Sequence, residues 1–254
     1  GFVYRAVPTG HKDAVPLEQM LQIDRYALSR AAQLQADILA HYEVYEFHTV
    51  AHSIHAFCAV ELSALYLDFT KDSLYCDAPN GQSRRSVQSA MAHMYYNIVR
   101  LLAPLLCFTA EDLATYSPAE FKGSVHLELF PQQGLFNVDE AFLKSIDAAL
   151  DIRYQVNTQI EKLRTAKTIG ASLEARVVMP RDLLGSWSET DLAQLFIVSR
   201  VDCSDTPQIQ VLRSDGEKCQ RCWRRDQIIA DLCPRCHRVL VMVPETRHSI
   251  NSNT

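Results

Sequence analysis

Apolar residues recur at helical spacing through the first half of the chain. A period near 3.6 residues predicts helices over residues 24–42, 47–68 and 83–103, and a polar turn at residues 77–81 separates the second helix from the third. Residues 109–112 have the spacing of a capping box, which predicts that a short fourth helix begins there. Because the connections between these helices are short, the pattern favours an antiparallel helical bundle.

The next stretch is predicted to contain a connector followed by a long helix. The connector, residues 123–133, includes one short extended run at residues 125–127. The long helix covers residues 139–167, and its apolar positions recur every seven residues. We interpret this stripe as the packing face of a helix on a domain surface rather than as a dimeric coiled coil. Arg153 interrupts the stripe, and fewer than four clean heptads are present.

Beyond the long helix the pattern changes from helical to extended. Runs rich in β-branched residues predict strands over residues 175–179, 195–201 and 209–212. A short helix over residues 188–194 is predicted between the first two strands. This order indicates a small α/β unit.

Composition places the chain among ordinary globular proteins. It has 254 residues, of which 48% are hydrophobic and 22% charged, and this length suggests two domains or one domain with an appendage. The absence of a run of about 18 apolar residues predicts that no segment spans a membrane. Without a secretory signal pattern, we expect a cytoplasmic protein whose cysteines are reduced, metal-bound or buried.

Four of the eight cysteines form two pairs with metal-ligand spacing. Cys219 and Cys222 make one CxxC pair, Cys233 and Cys236 make the other, and ten residues lie between the pairs. Two such pairs facing each other can surround one zinc ion tetrahedrally and leave no open position for catalysis. We therefore predict one structural zinc ion. The predicted fold class is mainly α: an antiparallel helical bundle followed by a small α/β unit and a zinc-ribbon-like finger.

Two other interpretations use the same cysteines. Residues 233–237 also match the haem-attachment pattern C-x-x-C-H, but this leaves the first pair without a role. A thioredoxin-like redox pair requires a βαβ unit in which the cysteines open a helix, whereas the sequence here predicts short hairpins. The remaining cysteines lack such spacing and are expected to be small buried hydrophobic residues: Cys58, Cys76, Cys107 and Cys203.

Basic residues are concentrated around the cysteine pairs. Residues 211–238 carry seven basic and four acidic side chains, so this segment has a charge of +3, and the remainder of a chain with net charge −5 carries −8. Trp223 lies among arginines, which is typical of a surface that stacks on unpaired bases and contacts phosphates. Packing of Trp223 on the finger as a miniature core fits the sequence equally well.

These features define a set of candidate nucleic-acid-binding residues. Two of them lie near the start of the third helix, where a solvated helix end would also account for them. The set is Lys218, Arg221, Trp223, Arg224, Arg225, Arg84 and Arg85.

The sequence contains no self-contained catalytic constellation, and we predict no catalytic residues. His48, His52 and His55 share one face of a predicted helix. Because no carboxylate ligand accompanies them, we expect them to fill polar space between bundle helices rather than to bind a metal. Gly-rich phosphate loops and nucleophile elbows are absent.

Several longer strings resemble the C-terminal part of isoleucyl-tRNA synthetases. The most specific are KTIGASLEA at residues 167–175 and GEKCQRCW at residues 216–223. YLDFTKDSLY at residues 66–75 is similar to the end of a helix in that family. Further similarity lies at residues 12–16, 23–28, 42–48 and 102–111.

This resemblance implies that the chain recognises tRNA with an isoleucine anticodon. It implies an anticodon-binding helical bundle over residues 1–133, a long helix with a small α/β junction over 134–212 and a four-cysteine zinc finger over 213–243. The tail over 244–254 lies outside the resemblance, and its residues predict disorder. The family's ATP-site signatures, His-x-Gly-His and Lys-Met-Ser-Lys-Ser, are absent. We therefore expect ATP to act only in a module that this chain lacks, with the rest of the synthetase as a partner.

Besides a fragment of the ligase, two alternatives remain for what the chain is. Because it also begins without methionine, we expect a non-catalytic fragment of the ligase or a separately encoded non-catalytic paralogue. The other alternative is a nucleic-acid binder of the DNA-repair glycosylase type, which carries a similar C-terminal finger. Gly1 and Phe2 do not supply the N-terminal proline and acid that glycosylase chemistry uses.

Overall fold

The fold is mainly helical, with a small sheet and a cysteine-rich finger. A computed structural model describes residues 14–116, 121, 123–132, 134, 136 and 140–242. The α-helices of this part are α1 (Gln22–Glu43), α2 (Phe47–Ala56), α3 (Leu67–Cys76), α4 (Gln82–Leu102), α5 (Cys107–Thr115), α6 (Glu140–Thr165), α7 (Glu189–Leu195) and α8 (Pro234–Met242). The strands are β1 (Ala175–Pro180), β2 (Arg200–Ser204), β3 (Gln210–Arg213), β4 (Glu217–Lys218) and β5 (Arg225–Asp226).

Most helices predicted from the period of 3.6 are confirmed. In the described part of the chain, α1 packs against α2, α4 and α6, and α3 packs against α4. The antiparallel order of the bundle and the division into domains stay predictions. The predicted disordered tail lies outside the described residues.

The second helix continues further than its sequence pattern indicated. A π-helical segment (Phe57–Tyr66) joins α2 to α3, so one helical run covers Phe47–Cys76. By length and composition alone this run could cross a membrane, although it contains no unbroken run of about 18 apolar residues. The prediction rested on the length of unbroken apolar runs. His, Ser and Glu residues interrupt the apolar run within Phe47–Cys76, but its mean hydropathy stays high. One such helix is weak evidence for a membrane protein, because core helices of soluble proteins meet the same criterion.

Helix α2 turns its histidines outward. His48, His52 and His55 are exposed, so the expectation that they fill space between helices is wrong. The physical reason is that Val50 and Ile54 occupy the buried face of the helix.

A buried carboxyl group joins three helical elements. Asp24 on α1 is fully buried and accepts a hydrogen bond of 2.7 Å from the Tyr66 hydroxyl and another from the Ser86 hydroxyl. The Ser86 Oγ, on α4, also accepts a bond of 2.9 Å from the backbone N–H of Leu21. Burial raises the pKa of Asp24 to about 7, although both hydroxyl bonds oppose the rise.

The connector after α5 differs from its prediction. Helix α5 begins before Thr109, and Thr109 does not cap it. Glu111 instead accepts hydrogen bonds from the Ser124 hydroxyl at 2.9 Å and the Val125 N–H at 3.0 Å. These bonds hold Val125–Leu127 in a 3₁₀ turn, so the predicted extended run there is wrong.

Helix α6 buries its apolar stripe, as predicted, and it packs against the small sheet and α1. The Gln159 side chain donates to the Ile209 carbonyl at 3.1 Å and accepts from the Val211 N–H at 3.2 Å, which ties the helix to β3. The stripe itself is buried at Ile146, Ala149, Val156 and Ile160.

The sheet has the order β2–β1–β3, with β1 parallel to β2 and antiparallel to β3. Strand β2 begins at Arg200, so the predicted strand over residues 195–201 is displaced. Leu195, Phe196 and Val198 are buried at the end of α7 and in the turn that follows it. A buried apolar run has no periodicity that distinguishes the end of a helix from a strand.

The cysteine-rich finger contains one hairpin and one helix. Strands β4 and β5 pair antiparallel and enclose the first cysteine pair, which confirms a hairpin there. The second pair opens α8, so the prediction of a hairpin is wrong for that pair.

Candidate metal centre and surrounding surface

The two cysteine pairs meet between the β4–β5 hairpin and α8. Their four sulfur atoms lie within 4.8 Å of one another, and all four residues are buried. Cys222 Sγ lies 3.7 Å from Cys233 Sγ. A tetrahedral zinc site with Zn–S distances near 2.3 Å requires sulfur–sulfur edges of about 3.8 Å. The donor set therefore fits a tetrahedral metal ion, and the described residues offer no second group of three or more ligating side chains.

Backbone hydrogen bonds shape the turns that carry the cysteines. The Trp223 N–H donates to the Cys219 carbonyl at 3.0 Å, and the Cys219 N–H donates to the Arg224 carbonyl at 2.9 Å. The Gln220 N–H donates to the Asp231 carbonyl at 3.0 Å and so joins the first turn to the segment before the second pair. Both Trp223 and Asp231 adopt positive φ angles, of 66° and 65°.

The thiols differ in how readily they ionise. Burial alone would raise the pKa of Cys219, but hydrogen bonds from backbone N–H groups outweigh burial and lower that pKa to about 6. Burial raises the pKa of Cys222 and of Cys233. A bound cation stabilises thiolates, so metal binding at this cage would release protons.

Trp223 lies on the outside of the finger rather than in its core. Its side chain is 60% exposed, and the Lys218 Nζ lies 5.2 Å from the centroid of its ring. Ile228 and Leu232 pack on the cysteine cluster instead. The alternative in which Trp223 forms a miniature core is therefore wrong.

The three arginines predicted beside Trp223 make contacts within the protein. Arg221 donates to the carbonyls of Tyr75 and Cys76, at the end of α3. Arg224 forms an ion pair of 3.2 Å with Asp72, and Arg225 one of 3.5 Å with Glu174. Their roles as nucleic-acid contacts stay predictions.

The two predicted residues on α4 lie near the same end of the molecule. Arg84 Nη1 donates to the Asp77 carbonyl at 3.4 Å, and Asp77 also lies 3.5 Å from Arg235 of the finger. Arg84 and Arg85 are both half-buried. The fold thus brings the first turn of α4 and the finger to one surface.

A cavity of about 440 Å³ lies where the finger meets α3 and α7. Its size falls within the range of pockets that hold small ligands or parts of larger ones. The lining is largely apolar and includes Lys71, Tyr75, Leu173, Gln194, Ile197 and Trp223.

Sequence reasoning missed three residues at this junction. Cys76 packs against the four-cysteine cluster, although its position relative to the CxxC pairs gave no signal. Asp72 and Arg235 form an ion pair of 2.5 Å between residues far apart in the chain. The sequence contained one signal for these contacts. An arginine lies inside each CxxC pair, and side chains at this position project outward from the turn that carries the cysteines.

The other cysteines have mixed environments. Cys76 is buried as expected, and Cys58 and Cys203 are half-buried. Cys107, the first residue of α5, is exposed, so the expectation of burial is wrong for this residue.

Residues 24–179 match a family model described as the anticodon-binding domain of tRNA ligase. The isoleucine–tRNA ligase of Syntrophotalea carbinolica is 38% identical over 253 residues, which cover 90% of this chain and 27% of that protein. The isoleucine–tRNA ligase of Methylacidiphilum infernorum is 36% identical over 245 residues, 92% of this chain and 27% of that protein. Isoleucine–tRNA ligase 1 of Burkholderia mallei is 38% identical, with 93% and 26% covered. The chain thus spans about a quarter of the length of these relatives.

Proposed function

Because this chain belongs to the family of anticodon-binding domains of tRNA ligases, we propose that it binds tRNA and reads the isoleucine anticodon. It would do so as the tRNA-binding region of an isoleucine–tRNA ligase, in the cytoplasm. ATP and aminoacylation chemistry would belong to a part of the ligase that lies outside this chain, and that part is a proposed partner. The proposed organisation is a helical bundle (1–133), a junction (134–212), a finger (213–243) and a tail (244–254).

The observation that carries this proposal is the exposed indole of Trp223 on a basic finger. An exposed ring can stack on an unpaired base, and unpaired anticodon bases present both their faces and their edges. Lys218 lies over the same ring and offers a charge for a neighbouring phosphate. In this proposal Trp223 and Lys218 contact the anticodon loop directly.

The metal has a structural role in this proposal. We propose zinc, because four thiolates at tetrahedral spacing suit this ion and exclude water from its coordination sphere. The finger has little core of its own, so zinc would supply much of its folding free energy. The ion would thereby hold Trp223 in place without contacting tRNA.

The proposal is tested by measuring the affinity of the chain for two tRNA transcripts that differ only in the anticodon. We expect tighter binding to the isoleucine anticodon and a linear fall of log K with log salt. Trp223→Ala should weaken binding by about 1–3 kcal/mol, the value of one stacked base. Lys218→Ala should reduce the salt slope by about one phosphate contact.

Tyr154→Ala is the matched control, because Tyr154 is an aromatic residue on α6 that is even more exposed than Trp223, at 76% against 60%. Equal affinity for both transcripts at physiological salt would contradict the anticodon claim. Preferred binding to an abasic DNA duplex over either transcript would favour the DNA-repair alternative.

A further inference from the structure

Each CxxC pair carries an arginine at its third position, and both arginines reach the end of α3. Arg235, inside the second pair, forms two hydrogen bonds with the Asp72 carboxylate, of 2.5 and 2.7 Å. A bidentate arginine–carboxylate pair fixes both distance and orientation. The second cysteine pair is therefore attached to the helical part of the protein through Asp72.

Arg221, inside the first pair, contacts both the helix end and the cysteine cluster. Its Nη1 donates to the Cys76 carbonyl at 2.5 Å, and its Nη2 donates to the Tyr75 carbonyl at 3.2 Å. The last carbonyls of a helix lack partners within the helix and favour a cation. The same Nη1 lies 3.6 Å from Cys236 Sγ. One guanidinium group thus joins the end of α3 to a candidate metal ligand.

Asp72 is the residue where the contacts of Arg235 and Arg224 meet. Its side chain is 20% exposed, and it also pairs with Arg224 at 3.2 Å. Arg224 directly follows the exposed Trp223 in the chain. The largely buried carboxylate of Asp72 thus binds two guanidinium groups. One belongs to Arg224, which follows the first cysteine pair, and the other to Arg235, which lies inside the second pair.

We propose that Arg221, Arg224 and Arg235 form a latch that docks the finger on the end of α3, and that Asp72 is its positioning residue. The latch couples metal occupancy of the cage to the placement of Trp223 against the helical part. These arginines then act mainly within the protein rather than on phosphates. The consequence for tRNA rests on the function proposed above, whereas the latch itself does not.

The latch and simple electrostatics predict opposite effects of one substitution. Asp72→Asn removes a negative charge from a surface proposed to bind tRNA, so electrostatics alone predicts tighter binding. If Asp72 positions the finger, the same substitution weakens binding, because Trp223 is no longer held in place. The sign of the change therefore separates the two explanations.

The first measurement does not involve tRNA. The full chain is loaded with zinc, and transfer of zinc to a chelator is followed over time for wild type, Asp72→Asn and Arg235→Gln. We expect transfer about tenfold faster in each variant, the effect typical of residues that support metal ligands. We expect the double variant to be no faster than the faster single variant, because both substitutions break the same Asp72–Arg235 contact.

Hydrogen exchange supplies a second readout in the same variants. Exchange should increase in peptides covering the end of α3, while α6 peptides exchange as in wild type and show that the fold is intact. Asp226→Asn is the control, because it makes the same charge change within the finger at an exposed residue. Wild-type zinc transfer and exchange in Asp72→Asn would overturn the latch.

The last measurement is the affinity for the isoleucine-anticodon transcript. We expect Asp72→Asn to weaken binding at least about fivefold with an unchanged salt slope, since no phosphate contact is lost. Tighter binding in this variant would overturn the positioning role even if zinc transfer is faster. If wild type does not discriminate between anticodons, the proposed function fails, and zinc transfer still decides the latch.

Discussion

The buried carboxyl group of Asp24 predicts an unusual pH dependence of stability. Folding raises its pKa from 3.8 to about 7 because burial disfavours the charged form. Between these two values the unfolded chain has an ionised Asp24 and the folded chain a protonated one. The folded state therefore binds one more proton, and the free energy of unfolding falls as pH rises.

The size of the effect follows from the width of this pH window. One pH unit corresponds to about 1.4 kcal/mol for one proton, and the folded carboxyl is already half ionised at pH 7, so the contribution of Asp24 should fall by about 2.3 kcal/mol between pH 5 and pH 7. Above about pH 7 the folded state is also ionised, and the contribution stops changing. Asp24→Asn removes the titrating group and keeps one oxygen that can accept from either Tyr66 or Ser86, whereas the amide Nδ2 in place of the other oxygen can only donate.

The assay is urea unfolding of wild type and Asp24→Asn across this range. The quantity of interest is the difference between the two proteins at each pH, because the thiols and other carboxylates titrate alike in both. We expect the wild type to lose about 2.3 kcal/mol relative to the variant from pH 5 to pH 7. A difference that stays constant with pH would refute the argument that burial dominates the energetics of Asp24.

Two further predictions concern the finger. Gly216 has a φ of +89°, and a Cβ there would lie 2.5 Å from the Asp226 carbonyl oxygen. Gly216→Ala should therefore destabilise the finger by about 1–3 kcal/mol in thermal melts, and it should cost more than Gly185→Ala, which has φ +56° but no atom within 4 Å of the added Cβ. Cys233→Ser should lower the zinc content below one ion per chain in elemental analysis, whereas the exposed Cys107→Ser should retain one; equal zinc in both variants would contradict the four-thiolate site.

Sequence periodicity predicted the helices well because helices bury one face against a core. The stripe on α6 and the run that became α1 carry apolar residues at helical spacing, and this spacing is a local property of the chain. The predictions failed where long-range contacts decide. Glu111 bonds to Ser124 and Val125 rather than capping α5, and the run that starts at Leu195 ends α7 rather than forming a strand.

By itself the sequence determined the helical character of the protein and the four cysteines that come together in the cage, because both depend on spacing along the chain. It could not assign roles to the arginines around that cage, since an exposed arginine and an ion-paired one have the same sequence pattern. Only the tertiary structure placed Arg224 and Arg235 on Asp72 and left Trp223 exposed. The physical reason is that the fold, and not the local sequence, determines which charged groups come together. The partners here lie more than a hundred positions apart in the chain.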